Sequence, residues 1–95
     1  MKLIGRHTIT VQVTDRHIAN GHKSSCSFCP VALALTEVGW RGIVVGTDSF
    51  AVDSGALTIP LPKIAQDFIS DFDHDRPVKP FDFEIPVTTA LWLSL

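Results

Sequence analysis

The stretch CPVALALTEVG, at residues 29–39, organises the rest of the fold. Proline suits the first position of a helix, and glycine suits the position just after the last one. A helix should therefore begin at Pro30, preceded by Cys29 or Ser27, and end at Gly39. This helix is apolar nearly all round, and a helix with no polar face cannot lie on a surface. We therefore expect it to be central, covered by a sheet on one side and by another element or a second subunit on the other.

The residues before this helix predict a strand and a short helical turn. Residues 8–13 alternate strictly between polar and apolar side chains, which indicates a half-buried strand. Thr14 is a favourable N-cap and Gly21 a favourable end, so a short helical turn should lie between them. A polar loop at residues 22–27 then leads to the central helix.

The residues after the central helix predict a hairpin, an amphipathic helix and a last strand. Residues 41–52, with a bulge at Gly46, should pair with residues 57–61, where Pro60 indicates an edge position because proline cannot donate to a ladder. Residues 62–72 carry one apolar stripe at helical spacing. The members of that stripe are Ile64, Ala65, Phe68, Ile69 and Phe72.

Phe81, Phe83 and Ile85 alternate with acidic residues, which predicts a last strand. The predicted order is β-α-α-β-β-α-β, which is typical of an α+β fold. We expect a small antiparallel or mixed sheet of about four strands, with two or three short helices packed on one face.

Length and composition predict one domain over residues 1–95. Hydrophobic residues are 45% of the chain and charged residues 19%, with a mean hydropathy of +0.25, which excludes a disordered chain and a coiled coil. The longest apolar run is five residues, and the first residues are too short for the core of a signal peptide, so we expect no membrane span and a cytoplasmic protein. Residues 86–95 form an apolar tail that should pack on its own core or on a neighbouring subunit. This tail and the apolar central helix together predict a homo-oligomer.

Charge is divided unevenly along the chain. Residues 1–47 carry a net charge of +3 and residues 48–95 a net charge of −5. An anionic partner should therefore meet the first half, unless the two halves neutralise each other within the fold. Nucleic acid is not expected, since the chain has no basic run, no tyrosine to stack on bases and a pI of about 6.0.

The pair Cys26 and Cys29 is the spacing with recognised chemistry, and three interpretations remain open. With His17 and His22 the pair could form a tetrahedral zinc site, although the order is opposite to that of the common zinc finger. It could also be a redox dithiol, because a position before a helix start favours the thiolate. The third interpretation is that both thiols are reduced and pack like small apolar side chains.

We do not expect an enzyme. The chain has no Gly-x-Ser-x-Gly elbow, no glycine-rich phosphate loop and no EF-hand pattern. His74 lies between Asp73 and Asp75, which could be a metal or acid/base group, but such a segment is more often a solvated loop.

Two motifs resemble a family of small uncharacterised bacteriophage proteins. The first is H-I-x-x-G at residues 17–21 followed by C-x-x-C-P-V-A-x-A at residues 26–34, and the second is F-I-x-x-F-D at residues 68–73 with P-V-x-P-F-x-F at residues 77–83. The resemblance spans residues 8–85 and leaves out the tail at residues 86–95. It carries no assigned activity, and it implies a phage accessory protein that acts in the host cytoplasm.

This resemblance implies binding, either to block a host protein or to sequester a small signalling molecule of bacterial immunity. The leading hypothesis is capture of a small anionic, nucleotide-type ligand without catalysis, with phosphate at the free amides of the helix start and a tryptophan ring stacked on the base. The alternatives are a zinc-stabilised protein-binding module and a thiol redox protein. Apart from zinc no cofactor is expected, and the tryptophan and the arginine after it could instead be core and surface residues. The predicted ligand-binding residues are Arg6, His22, Lys23, Ser27, Cys29, Trp40 and Arg41.

Overall fold

The computed structural model describes residues 7–87, which form an α+β fold with three α-helices and five strands. The elements are β1 (His7–Val13), α1 (Asp15–Asn20), α2 (Pro30–Val38), β2 (Val44–Val45), β3 (Ser49–Val52), β4 (Leu57–Pro60), α3 (Lys63–Asp73) and β5 (Phe81–Val87), with a short 3-10 turn (Asp53–Gly55) between β3 and β4. In the described part of the chain, no helix is long and apolar enough to cross a membrane. The tail at residues 88–95 lies outside the described residues.

The strands form two antiparallel sheets, whereas the sequence analysis expected one sheet. β1 pairs with β5 along its whole length, and β2, β3 and β4 form a separate sheet in that order. The expected strand at residues 41–52 is divided into β2 and β3, because the chain reverses at Gly46, whose N–H donates to the carbonyl of Ser49 at 2.8 Å. The outer side of β2 is occupied by a loop, since the Val45 N–H donates to the Cys26 carbonyl at 2.7 Å.

α2 is the centre of the molecule, as its composition predicts. Cys29 is its N-cap, Pro30 is its first residue, and Gly39 ends it with a φ of 130° that favours glycine. The helix packs against β1, α1 and β2 of the same chain. Its buried residues are Pro30, Val31, Ala32, Ala34 and Leu35.

α3 buries a narrower stripe than its sequence predicts. Ala65 and Phe68 are buried, Ile69 and Phe72 are half-buried, and Ile64 is 52% exposed. The centroids of the Phe68 and Phe81 rings are 4.8 Å apart, and this contact joins the helix to β5. Ile64 lies one turn before Phe68, in the first turn of α3, where its side chain faces solvent.

β4 lies at the edge of its sheet, in agreement with the position of Pro60. Pro60 is opposite Ser49 in the register of β3 and β4, and β4 has no second neighbouring strand in the described residues. The missing N–H of proline therefore costs no ladder hydrogen bond.

Candidate functional site

A cleft of about 210 Å³ contains both cysteines and is the candidate site. It lies between the loop before α2, the turn between β2 and β3, and the last turns of α3. We call it the cysteine cleft, and it is lined by Ser24, Ser25, Cys26, Cys29, Val45, Gly46, Thr47, Ile69 and Asp73.

The loop that carries the cysteines is held by hydrogen bonds to its own side chains and to the chain beside it. The chain turns at residues 26–28, and the Phe28 N–H donates to Ser25 Oγ at 3.0 Å. The Ser27 hydroxyl donates to the Ile43 carbonyl at 3.1 Å, next to the bond between Val45 and Cys26. These bonds fix one wall of the cleft against β2.

Cys29 has a structural role at the start of α2. Its Sγ accepts the N–H of Ala32 at 3.4 Å, which caps the helix, and its side chain is buried. Burial raises the pKa of the Cys29 thiol, although the amides of Ala32 and Val31 act in the opposite direction. Cys26, by contrast, is exposed, and both thiols are free.

Asp73 is the charged residue of the cleft, and the sequence gives no sign of its place there. It is the last residue of α3, and its Oδ1 accepts the N–H of Ser24 at 2.9 Å. A carboxylate is disfavoured at the negative end of a helix dipole, and this hydrogen bond partly compensates for that cost. Because Ser24 and Asp73 are far apart in the chain, nothing in the local sequence indicates the contact. His74 beside it is exposed, with Nδ1 near the Ser70 carbonyl at 2.7 Å.

The structure distributes the predicted ligand residues over several places. Trp40 is fully buried and packs 5.8 Å from the Phe50 ring, so it offers no face to a ligand in this conformation, in contrast to its predicted stacking role. It lies inside because its indole ring packs, with Phe50, in the hydrophobic core. Arg41 is exposed, and Arg6 lies outside the described residues.

The positive charge of the loop at residues 22–27 is partly neutralised by an acidic residue. Lys23 forms an ion pair with Asp75, so charge from the two halves of the chain compensates within the fold. His22 is exposed and makes an edge contact with the Phe28 ring at 6.4 Å. Of the six predicted residues that lie within residues 7–87, Cys29 is the one that lines the cysteine cleft, while Ser27 supports its wall.

One amide at the start of α2, where phosphate was predicted, is capped by the protein itself. The Ala32 N–H donates to the Cys29 sulfur, and the Leu33 N–H makes the first hydrogen bond of the helix to the Cys29 carbonyl, so a phosphate at the Ala32 amide would have to displace the sulfur. Among the described residues that line the cleft, Asp73 carries the one formal charge. The cleft therefore presents a carboxylate where the sequence analysis expected cations.

The predicted zinc ligands do not form a metal site in the described residues. His17 is buried, its Nδ1 accepts the N–H of Thr14 at 3.0 Å, and its Nε2 lies 2.9 Å from Glu37 Oε2, so both ring nitrogens are engaged. Within residues 7–87 no group of three or more His, Cys, Asp or Glu side chains is placed to hold a metal ion. His17 is a capping residue of α1, although its spacing from the cysteines fits that of a metal ligand.

Comparisons with protein-family models, with curated proteins and with solved structures find no match to this chain. The interpretation of the site therefore follows from its own geometry.

Proposed function

We propose that this protein binds, without transforming it, a small nucleotide-type molecule whose uncharged nucleoside part enters the cysteine cleft. The observation that supports this proposal is the composition of the cleft, which combines an apolar floor with a polar rim. Ligand pockets commonly have this combination, because apolar walls supply affinity and a few polar groups fix orientation.

The floor and rim suit a ring with hydroxyl or amino groups. Val45, Ile69 and Cys29 supply apolar surface on which a flat ring can pack. Ligand pockets commonly measure about 300 to 1,000 Å³, so a cleft of about 210 Å³ suits part of a nucleotide. Asp73 uses one hydrogen bond for Ser24 and keeps further acceptor capacity for a ribose hydroxyl or a ring amine.

The charged part of such a ligand would remain at the mouth of the cleft. Lys23 directly precedes Ser24 and is half exposed in its pair with Asp75. A phosphate there stays hydrated and lies away from Asp73, but it would have to compete with Asp75 for Lys23. This arrangement revises the expectation that phosphate binds at the start of α2.

The biological role that we propose rests on the motif resemblance to small bacteriophage proteins. A phage protein that binds a nucleotide-type molecule in the host cytoplasm without consuming it would act as a sponge for a signal of bacterial immunity. Blocking of a host protein is the competing role, and it requires no occupied cleft.

Isothermal titration with matched nucleosides and nucleotides tests the binding. We expect heat of binding for at least one nucleotide, cyclic nucleotide or ADP-ribose derivative, and retained binding of its parent nucleoside. Asp73→Asn should weaken binding by about 1 to 1.5 kcal/mol, or roughly five- to tenfold in Kd, because a hydrogen bond to a charged acceptor becomes one to a neutral acceptor.

Two variants serve as controls for this titration. Asp67→Asn changes an exposed acid of the same helix that does not line the cleft, and Arg41→Ala removes an exposed cation outside it. Both should bind as the wild type does. A loss of binding in Arg41→Ala with none in Asp73→Asn would place the ligand elsewhere, and no heat with any ligand would favour the protein-blocking role.

A further inference from the structure

The two cysteines of the cleft differ in exposure and share one turn. Cys26 is exposed, whereas the Cys29 residue is only 4% exposed. The chain turns at residues 26–28, and in a turn the Cα atoms of residues three apart lie within about 7 Å. That spacing is close to the range that a disulfide bridges. An accessible thiol thus lies beside a protected one.

We infer that Cys26 and Cys29 form a reversible dithiol–disulfide pair that exchanges with small-molecule disulfides of the glutathione type. Cys26 is the thiol that meets the small molecule, and Cys29 is the thiol that completes the intramolecular bond. This inference does not depend on the ligand proposed for the cleft.

The exchange balances in two steps. The Cys26 thiolate attacks one sulfur of the small disulfide, which forms a mixed disulfide and releases one small thiolate. The Cys29 sulfur then attacks the Cys26 sulfur, the second small thiolate leaves, and the proton of the Cys29 thiol passes to that leaving group. The protein dithiol is oxidised by two electrons, and the small disulfide is reduced to two thiols.

The local structure sets the order of these steps. A small disulfide can approach the exposed Cys26 from solvent, whereas Cys29, although it lines the cleft, is only 4% exposed. Burial also raises the pKa of Cys29, which favours its less nucleophilic thiol form and disfavours a first attack by Cys29. Because the Cys29 sulfur caps α2, oxidation connects the redox state to the start of the central helix.

The test uses the folded full-length chain incubated with oxidised glutathione, quenched with N-ethylmaleimide and weighed by mass spectrometry. The wild type should lose two hydrogen atoms, take up no maleimide and carry no glutathione. Dithiothreitol should return two thiols that react with maleimide after denaturation. A stable glutathione adduct or a disulfide-linked dimer of the wild type would overturn the inference.

Single serine variants identify the role of each cysteine. Cys29→Ser should accumulate a glutathione adduct at Cys26, and its fold should be preserved because serine is a favoured N-cap. Cys26→Ser should remain unmodified over the time in which Cys29→Ser is fully modified. Equal modification of the two variants, with both showing the circular dichroism of the wild type, would contradict the assigned order.

Discussion

At the residue scale, the His17 ring caps α1 through Nδ1 and connects α1 to α2 through Nε2. Because the Thr14 N–H donates to Nδ1, the ring proton is on Nε2 and is donated to Glu37 on α2. This hydrogen bond, followed by the charge of Arg16, holds the pKa of the Glu37 carboxyl below its usual range. The sequence shows Thr14 as a cap, but it does not show Glu37, which the fold brings from a separate helix.

This arrangement predicts a stability that falls in acid. The pKa of Glu37 is lower in the folded chain than in the unfolded chain, so its ionised form contributes stability above the unfolded pKa and loses it as the pH falls through the folded pKa. Glu37→Gln should flatten the acid side of a plot of urea midpoint against pH. Asp67→Asn, in an exposed pair with Lys63, should keep the wild-type slope. An unchanged slope in Glu37→Gln would show that the bond to His17 is not maintained in solution.

Gly42 is a second residue whose role is visible only in the fold. Its φ is +61°, and a Cβ there would lie 2.5 Å from the amide nitrogen of Ser54, which donates to the Gly42 carbonyl. Gly55 has a φ of +101° but open space around it. A side chain at Gly55 would therefore introduce backbone strain alone, whereas a side chain at Gly42 would introduce both strain and a steric clash.

We predict that Gly42→Ala costs more than Gly55→Ala. Strain at a positive φ costs of order 1–3 kcal/mol in either variant, and Gly42→Ala adds the displacement of the Ser54 amide. Chemical denaturation of both variants measures the difference. Equal losses would mean that the segment around Ser54 moves away freely.

At the element scale, the sequence predicts helix ends better than strand partners. Thr14, Pro30 and Gly39 specify their local backbone directly, and the helices begin and end where these residues predict. Strand pairing depends on distant segments, so the division into two sheets was not predicted. Glycine and aspartate in the segment Gly46-Thr47-Asp48 are typical of turns. The sequence predicted a bulge within one long strand here, whereas in the structure the segment is a turn after which β3 pairs back on β2.

The stripe of α3 gives the prediction at this scale. Phe68 is buried and contacts the rings of Phe72 and Phe81, so Phe68→Ala should destabilise the fold by roughly 3 to 5 kcal/mol through a cavity at the junction with β5. Ile64→Ala on the same helix should cost far less, because Ile64 is largely exposed. Thermal unfolding of the two variants compares them. A melting temperature of Phe68→Ala within a degree or two of that of Ile64→Ala would show that α3 does not pack on β5 as described.

At the scale of the whole molecule, the cleft assembles three segments that are separate in sequence. The cysteine loop could be identified from its spacing and from the helix that follows it. Thr47 and Asp73 enter the cleft because β2 pairs with the loop and because α3 ends beside Ser24. Tertiary contacts of this kind have no local pattern, and for that reason the sequence does not indicate that Lys23 and Arg41 lie outside the lining of the cleft.

Self-association is the prediction that concerns the whole molecule. α2 is covered by elements of its own chain, so it no longer requires a second subunit, and the tail at residues 88–95 lies outside the described residues. On the described surface, Phe28 is 60% and Val44 42% exposed, and the bond between Val45 and Cys26 holds their segments side by side.

Exposed apolar side chains favour contact between copies of the chain where they lie together in one patch, and we predict that Phe28 and Val44 do so. Light scattering at tens of micromolar protein should therefore give a mass above 10.4 kDa, and Phe28→Ser should lower it. Ile64→Ser removes an equally exposed apolar side chain from α3 and should leave the mass unchanged. A single 10.4 kDa species for the wild type would exclude the homo-oligomer. Association that persists in Phe28→Ser would assign the interface to a surface other than the one formed by Phe28 and Val44.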